Sequence, residues 1–159
     1  MTNIKIIDAT TINLEQIVPL FDQYRLFYDQ ESNLKSAHAF IKTRLEQQDS
    51  IIILAIEDGQ AKGFAQVYPS FSSVSMQALW ILNDLYVQHN ARRKGIGKHL
   101  IKHLQKQAKT HNVQRLILRT GKANQNAQSL YTQLGFQVDQ AFLTYQFEIA
   151  GPQLSRDLS

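Results

Sequence analysis

The segment Arg92-Arg93-Lys94-Gly95-Ile96-Gly97 constrains this chain more than any other. It follows an apolar run over residues 79–87, Leu-Trp-Ile-Leu-Asn-Asp-Leu-Tyr-Val, that reads as a strand. It leads into Ile96, Leu100, Ile101, Leu104 and Ala108, which recur at helical spacing. A basic, glycine-containing loop therefore joins a strand to the start of a helix. Such a turn aims main-chain N–H groups and the positive end of the helix dipole at one anion. Gly95 and Gly97 remove side chains where a phosphate has to approach the main chain. The arrangement predicts a pyrophosphate-bearing cofactor. The spacing R-x-x-G-x-G fits neither G-x-G-x-x-G nor G-x-x-x-x-G-K-[ST], so the dinucleotide and P-loop readings fall away.

Residues 124–136 supply a second motif, Asn-Gln-Asn-Ala-Gln-Ser-Leu-Tyr-Thr-Gln-Leu-Gly-Phe. Together the two segments resemble the GNAT N-acetyltransferase superfamily, which transfers an acyl group from acyl-coenzyme A to an amine. The first looks like its pyrophosphate loop, and the second like its N-x-x-A-x-x-L-Y-x-x-x-G-F helix. The resemblance implies an α+β fold, with a mixed, mostly antiparallel central sheet of about seven strands and helices on both faces. It implies acetyl-CoA as the acyl donor and direct attack by the amine, without an acyl-enzyme. By motif position, the main chain of Leu85, Tyr86 and Val87 would hold the pantetheine arm as if the cofactor were an added strand. The amide of Val87 is the candidate donor to the thioester oxygen. Arg92, Arg93, Lys94, Gly95, Ile96, Gly97 and Lys98 would hold the pyrophosphate. Tyr131 would protonate the departing coenzyme sulfur, since a phenol with a pKa of about 10 is protonated at neutral pH.

Some residues depart from the family pattern. His89 stands where proline is frequent, and Arg93 where glycine is frequent. The stretch Leu-Asn-Asp-Leu-Tyr-Val over residues 82–87 resembles the L-E-D-F-F-V stretch of polyamine acetyltransferases. Asn83 replaces the glutamate suggested there as the base. Asp84, the one acid inside the apolar strand, is then a candidate base acting through water, because burial raises a carboxyl pKa. It is equally readable as a structural acid with a partner. Tyr131 is also readable as a core residue of an amphipathic helix, and Asn124 either contacts pantetheine or caps that helix.

The 159 residues suit one domain, expected over residues 1–150 with a flexible tail over 151–159. The chain is 43% hydrophobic and 19% charged, values of a globular protein. The N-terminus has no apolar run of signal-peptide type, and no segment is apolar for long enough to span a bilayer, so the expected location is cytoplasmic and away from membranes. With no cysteine, disulfides, thiolate metal sites and an acyl-cysteine intermediate are excluded. The net charge of +4 is concentrated near residues 92–109 and lacks interleaved aromatics, so nucleic acid is not the expected partner. His99 and His103 stand four apart on one helix but lack a third ligand, and no metal is expected.

Periodicity and turn residues give the order β-α-α-β-β-β-α-β-α-β-β. Strands are expected at 4–7, 51–57, 61–69, 79–87, 113–120, 136–138 and 141–149. Helices are expected from Asn13, with a capping box to Gln16, at 36–47, from Gly95, and at 126–134. Asp58-Gly59 reads as a tight hairpin turn.

The acceptor is expected to be a primary amine of a small molecule, of the di- or polyamine kind. Asp29, Glu31 and Asp84 would form an acidic cluster on a basic chain, and Tyr24 or Tyr28 would offer a cation–π face. Asp29 and Glu31 are also readable as solvated loop charges. Amino acids, aminoglycosides and protein amines are the competing acceptors. A coenzyme-A-binding regulatory module without catalysis is the competing class. A homodimer is the habit of the family.

Overall fold

The computed structural model describes residues 3–150. They fall into two compact units that divide after Arg119. The first opens with β1 (Ile4–Asp8), one turn of 3-10 helix at Thr11–Asn13, then α1 (Leu14–Phe27) and α2 (Leu34–Gln47). The strands β2 (Ile51–Glu57), β3 (Gln60–Ser72) and β4 (Gln77–Val87) follow, then α3 (Ile96–Thr110) and β5 (Leu116–Leu118). The second unit holds α4 (Gln125–Gln133).

The sheet order is β1-β2-β3-β4-β5. The first three pairings are antiparallel, and β5 runs parallel to β4. The tight turn between β2 and β3 puts Asp58 and Gly59 at positive φ, as the sequence predicts. Ile52, Leu54 and Phe64 pack with Ile17, Phe21 and Tyr24 of α1 and with Ala37 and Ile41 of α2. Ile53 is also fully buried, so β2 is apolar on both faces. The buried stripe of α3, Ile96, Leu100, Ile101, Leu104 and Ala108, belongs to a helix packed on β1 to β4. The α+β class, with a mixed sheet between helices, is therefore as expected.

The strand count is corrected. Among the described residues the sheet has five strands, not about seven. Residues 136–138 and 141–149 form no strand. Their alternating pattern supplies an apolar face, but a strand also needs a neighbour for its ladder, and among the described residues none pairs with them. Val138, Phe142, Leu143, Tyr145, Phe147 and Ile149 are accordingly exposed. β5 is also shorter than expected, and its ladder reaches only from Trp80 to Leu82. The capping contact lies one turn earlier than predicted: the Thr10 N–H donates to Asn13 Oδ1 at 2.9 Å. α2 begins at Leu34, where Asn33 caps it by accepting from the Ser36 N–H at 3.0 Å. The expected tail over 151–159 lies outside the described residues. Among the described residues no helix is long and apolar enough to cross a membrane.

Gly63 fixes how closely α3 approaches the sheet. A Cβ there would meet the Tyr86 carbonyl oxygen at 2.9 Å and Ile96 Cγ2 at 3.2 Å. The first contact is backbone and cannot swing aside. Gly63→Ala is expected to destabilise the fold by about 1–3 kcal/mol, the usual range for overpacking. Urea denaturation of the two proteins checks this.

Candidate functional site

The long strand β4 carries a bulge at its centre. Gln66 of β3 faces Asp84, and Val67 faces Leu82, so Asn83 is the extra residue. Two side chains hold the bulge. Tyr24 Oη donates to the Asn83 carbonyl at 3.2 Å, and Asn83 Nδ2 donates to Asp84 Oδ1 at 2.7 Å. Gln66 Nε2 donates to Asp84 Oδ2 at 2.6 Å, and Ser50 Oγ donates to Gln66 Oε1 at 2.9 Å. Gln66 is 0% exposed and Asp84 2%. Both oxygens of the buried acid thus meet side-chain amides, which offsets part of the cost of burying it.

Past the bulge, β4 has β3 on one side only. The β5 ladder stops at Leu82, so residues 83–87 have no strand on the other side among the described residues. The Gln88 N–H donates to the Lys62 carbonyl at 2.8 Å. Paired groups alternate along an antiparallel ladder, so Tyr86 and Asp84 also bond toward β3. The N–H and C=O groups of Leu85 and Val87 then lie on the open edge. An extended chain can add there as a strand.

The basic loop begins where that edge ends. Arg92 folds back: its Nε donates to the Val87 carbonyl at 3.0 Å, and its guanidinium lies 5.6 Å from the Tyr86 ring centroid and 5.7 Å from that of Phe27. Tyr86 Oη in turn donates to Gln23 Oε1 at 3.3 Å. Arg93 takes φ +65° and Gly95 φ +78°, so the loop turns twice through the left-handed region. Glycine adopts this freely, but arginine does so at a cost. Among the described residues, no acceptor in the chain meets the N–H groups of Arg93, Lys94 or Gly95. Ile96, Gly97 and Lys98 form the first turn of α3, whose N–H groups have no helical partner. The first helical bond runs from the His99 N–H to the Gly95 carbonyl at 3.0 Å. The result is a row of amide donors at a helix start, an arrangement that suits a diphosphate. Lys94 Nζ lies 3.3 Å from Glu57 Oε2, at the end of β2.

Other predicted residues occupy different settings. Tyr24 is buried among the rings of Phe21, Tyr28 and Phe64. Tyr28 is half-buried, with its ring edge-on to Tyr24 and Phe27. Asp29 and Glu31 stand exposed on the loop before α2. Arg25 Nη1 donates to the Glu31 carbonyl at 3.0 Å, and buried Asp22 accepts from Ser32 Oγ at 2.6 Å and from the Asn33 N–H at 2.8 Å. His99 Nδ1 bonds the Gly95 carbonyl at 2.7 Å, and His103 stands 3.7 Å from Asp8. No group of three or more metal-ligating side chains occurs among the described residues.

The second unit explains its own motif. Asn124 caps α4, its Oδ1 accepting from the Ala127 N–H at 3.2 Å. At the other end, the Phe136 N–H donates to the Tyr131 carbonyl at 3.0 Å, and the Gly135 N–H to the Thr132 carbonyl at 3.1 Å. Gly135 has φ +91°, and the Tyr131 and Phe136 rings lie 5.8 Å apart. This is a Schellman motif with its apolar contact. The spacing L-Y-x-x-x-G-F therefore terminates a helix as well as placing a half-buried tyrosine.

Sequence reasoning missed Glu57, Gln66, Gly63 and Asp22. Glu57 carried a signal, an acid closing a strand otherwise apolar. Gln66 and Gly63 depend on which strands meet, and Asp22 on how the loop before α2 returns to α1.

An open β4 edge running into a loop of unbonded amides suits an extended ligand that ends in a diphosphate, as coenzyme A does. The comparisons agree. The Acetyltransferase (GNAT) family model matches residues 14–136, and the chain belongs to that family. An uncharacterized N-acetyltransferase of Bacillus subtilis, YhfO, is 46% identical over 137 residues, covering 86% of this chain and 92% of its own. A D-amino-acid N-acetyltransferase of Saccharomyces cerevisiae is 34% identical over 83 residues, 52% of each chain. The crystal structure of a probable acetyltransferase superposes with a TM-score of 0.89 at 39% identity, covering 93% of this chain and 99% of that one.

Gln66→Leu removes one partner of buried Asp84 and leaves Ser50 without its acceptor. It is expected to lower stability by about 1–3 kcal/mol, the cost of leaving a buried polar group short of a hydrogen bond. Chemical denaturation followed by circular dichroism checks it.

Proposed function

We propose that the chain transfers an acetyl group from acetyl-CoA to a primary amine of a small molecule, of the di- or polyamine kind, by direct attack. The observation that carries the reading is the β4 edge at Leu85 and Val87, which has no strand beside it among the described residues and leaves the Val87 N–H open, and which ends at the amide-lined loop over residues 92–98. In this reading the pantetheine arm pairs with that edge, and the Val87 N–H donates to the thioester oxygen, where charge develops as the amine adds. The amides of the loop hold the pyrophosphate, with Arg93 and Lys98 beside them. Arg92 ties the loop to β4. The amine nitrogen forms its bond to the acetyl carbon, the carbon–sulfur bond breaks, and the thiolate takes the Tyr131 proton; the nitrogen gives up its extra proton to solvent, from which the tyrosinate is reprotonated. Asn124 sets the start of the tyrosine's helix. Asp84, with both oxygens on amides, is better placed to orient Asn83 than to take the amine proton directly.

The GNAT match at 14–136 crosses the boundary after Arg119, which supports one acyltransferase domain built from both units. For the acceptor, Asp29 and Glu31 are exposed acids on a basic chain, suited to a distal ammonium. An amino acid is the second reading, favoured by the D-amino-acid specificity in the name of the yeast relative.

Tyr131→Phe is expected to lower kcat by about 10²- to 10⁴-fold, the usual contribution of a general acid, with acetyl-CoA affinity nearly intact. Single-turnover acetylation and a coenzyme A titration of the two proteins check this. An unchanged chemical rate returns Tyr131 to a purely structural role.

Steady-state rates with putrescine, spermidine, D- and L-amino acids, an aminoglycoside and a peptide N-terminus test the acceptor. The diamines are expected to give the highest kcat/KM. An amino acid ahead by a wide margin replaces the polyamine reading and leaves the transferase intact. Binding of acetyl-CoA with no turnover across the panel points to the non-catalytic module instead.

A further inference from the structure

Lys94 occupies the centre of the basic motif, yet its ammonium is engaged by a carboxylate of another element. Its Nζ lies 3.3 and 3.4 Å from the two carboxylate oxygens of Glu57, at the last position of β2. The Glu57 side chain is only 7% exposed, against 41% for Lys94. A carboxylate this deep is costly to leave without a cation, so the pair is more demanding on the glutamate side. Lys94 itself sits between two residues in the left-handed region, Arg93 and Gly95. Those two torsions decide where the loop amides point, and a tether between them limits the alternatives.

From this we infer that Glu57 is a positioning residue for the coenzyme: it fixes the diphosphate loop through Lys94, and Lys94 is an internal strut rather than a phosphate ligand. The loop is then braced from three strands. β2 holds it through Glu57, β3 through the close approach of Ile96 to Gly63, and β4 through Arg92 on the Val87 carbonyl. Arg93 and Lys98 are left as the side-chain cations for the diphosphate. The inference rests on the coenzyme A reading given above.

A double-mutant cycle tests it. Wild type, Glu57→Gln, Lys94→Met and the double variant are titrated with coenzyme A by calorimetry. KM for acetyl-CoA and kcat are measured alongside. Each single change is expected to weaken binding about tenfold, the scale of coupling between contacting residues, and the double variant no further than the weaker single. The loss is expected in KM for acetyl-CoA rather than in kcat, and Lys94→Arg is expected to restore most of it. If Glu57→Gln binds as wild type or tighter while Lys94→Met binds more weakly, Lys94 contacts phosphate and the inference is overturned. Additive losses overturn it as well. A lowered melting temperature with wild-type affinity makes the pair merely structural and also overturns it. Should Glu57→Gln fail to fold, Lys94→Met alone still decides. Its dependence of coenzyme A affinity on salt is expected to match that of wild type, because the missing cation faced a carboxylate. A shallower dependence overturns the inference. Failure of the wild type to bind coenzyme A would remove the coenzyme reading itself, a result distinct from binding that the variants leave unchanged.

Discussion

Main-chain donors and acceptors need partners, and the organisation of this protein turns on where β4 goes without them. The β5 ladder stops at Leu82, just where the bulge at Asn83 shifts the register with β3. A bulge sharpens local twist and re-aims the residues beyond it. The groups of Leu85 and Val87 therefore face outward from a strand whose other edge is firmly paired. A bare edge invites aggregation in most proteins. Here its short length and the folded-back Arg92 limit that exposure.

The buried polar chain beneath the bulge is the counterpart of that open edge. Ser50, Gln66, Asp84 and Asn83 are linked in sequence by hydrogen bonds, and Tyr24 closes the set from α1. A strand interrupted at its centre would otherwise be free to slip, and slipping by one residue would turn its side chains to the wrong faces. A satisfied polar network resists this because any alternative register breaks buried hydrogen bonds. The Tyr24 contact also couples α1 to the bulge. The same helix carries Asp22, whose oxygens hold the end of the loop before α2, at Ser32 and Asn33.

Charge in the loop is distributed in an unexpected way. Three consecutive basic residues suggest three cations for a phosphate. Arg92 is instead spent on two aromatic rings and a carbonyl, and Lys94 on a buried carboxylate. In the proposed site, what would face a ligand is chiefly main chain, which needs rigidity more than charge. Backbone amides held in place are good diphosphate hosts because they lose little entropy on binding.

The sequence by itself determined the strand–basic loop–helix unit, the tight turn at Asp58-Gly59, the buried stripe of α3 and the Gly135 cap of α4. Each is local, set by periodicity or by a torsion that few residues accept. With the second motif, that was enough to expect the GNAT family. Only the tertiary structure decided the rest. Asp84 read as a lone acid in a strand, and its partner Gln66 became visible once β3 and β4 were in register. Lys94 read as a phosphate cation, and its partner Glu57 lies on another strand. The expected strands over 136–138 and 141–149 failed for the same reason in reverse: alternation describes one chain, and pairing requires two. Partners across a sheet are set by register and bulges, which no single segment encodes.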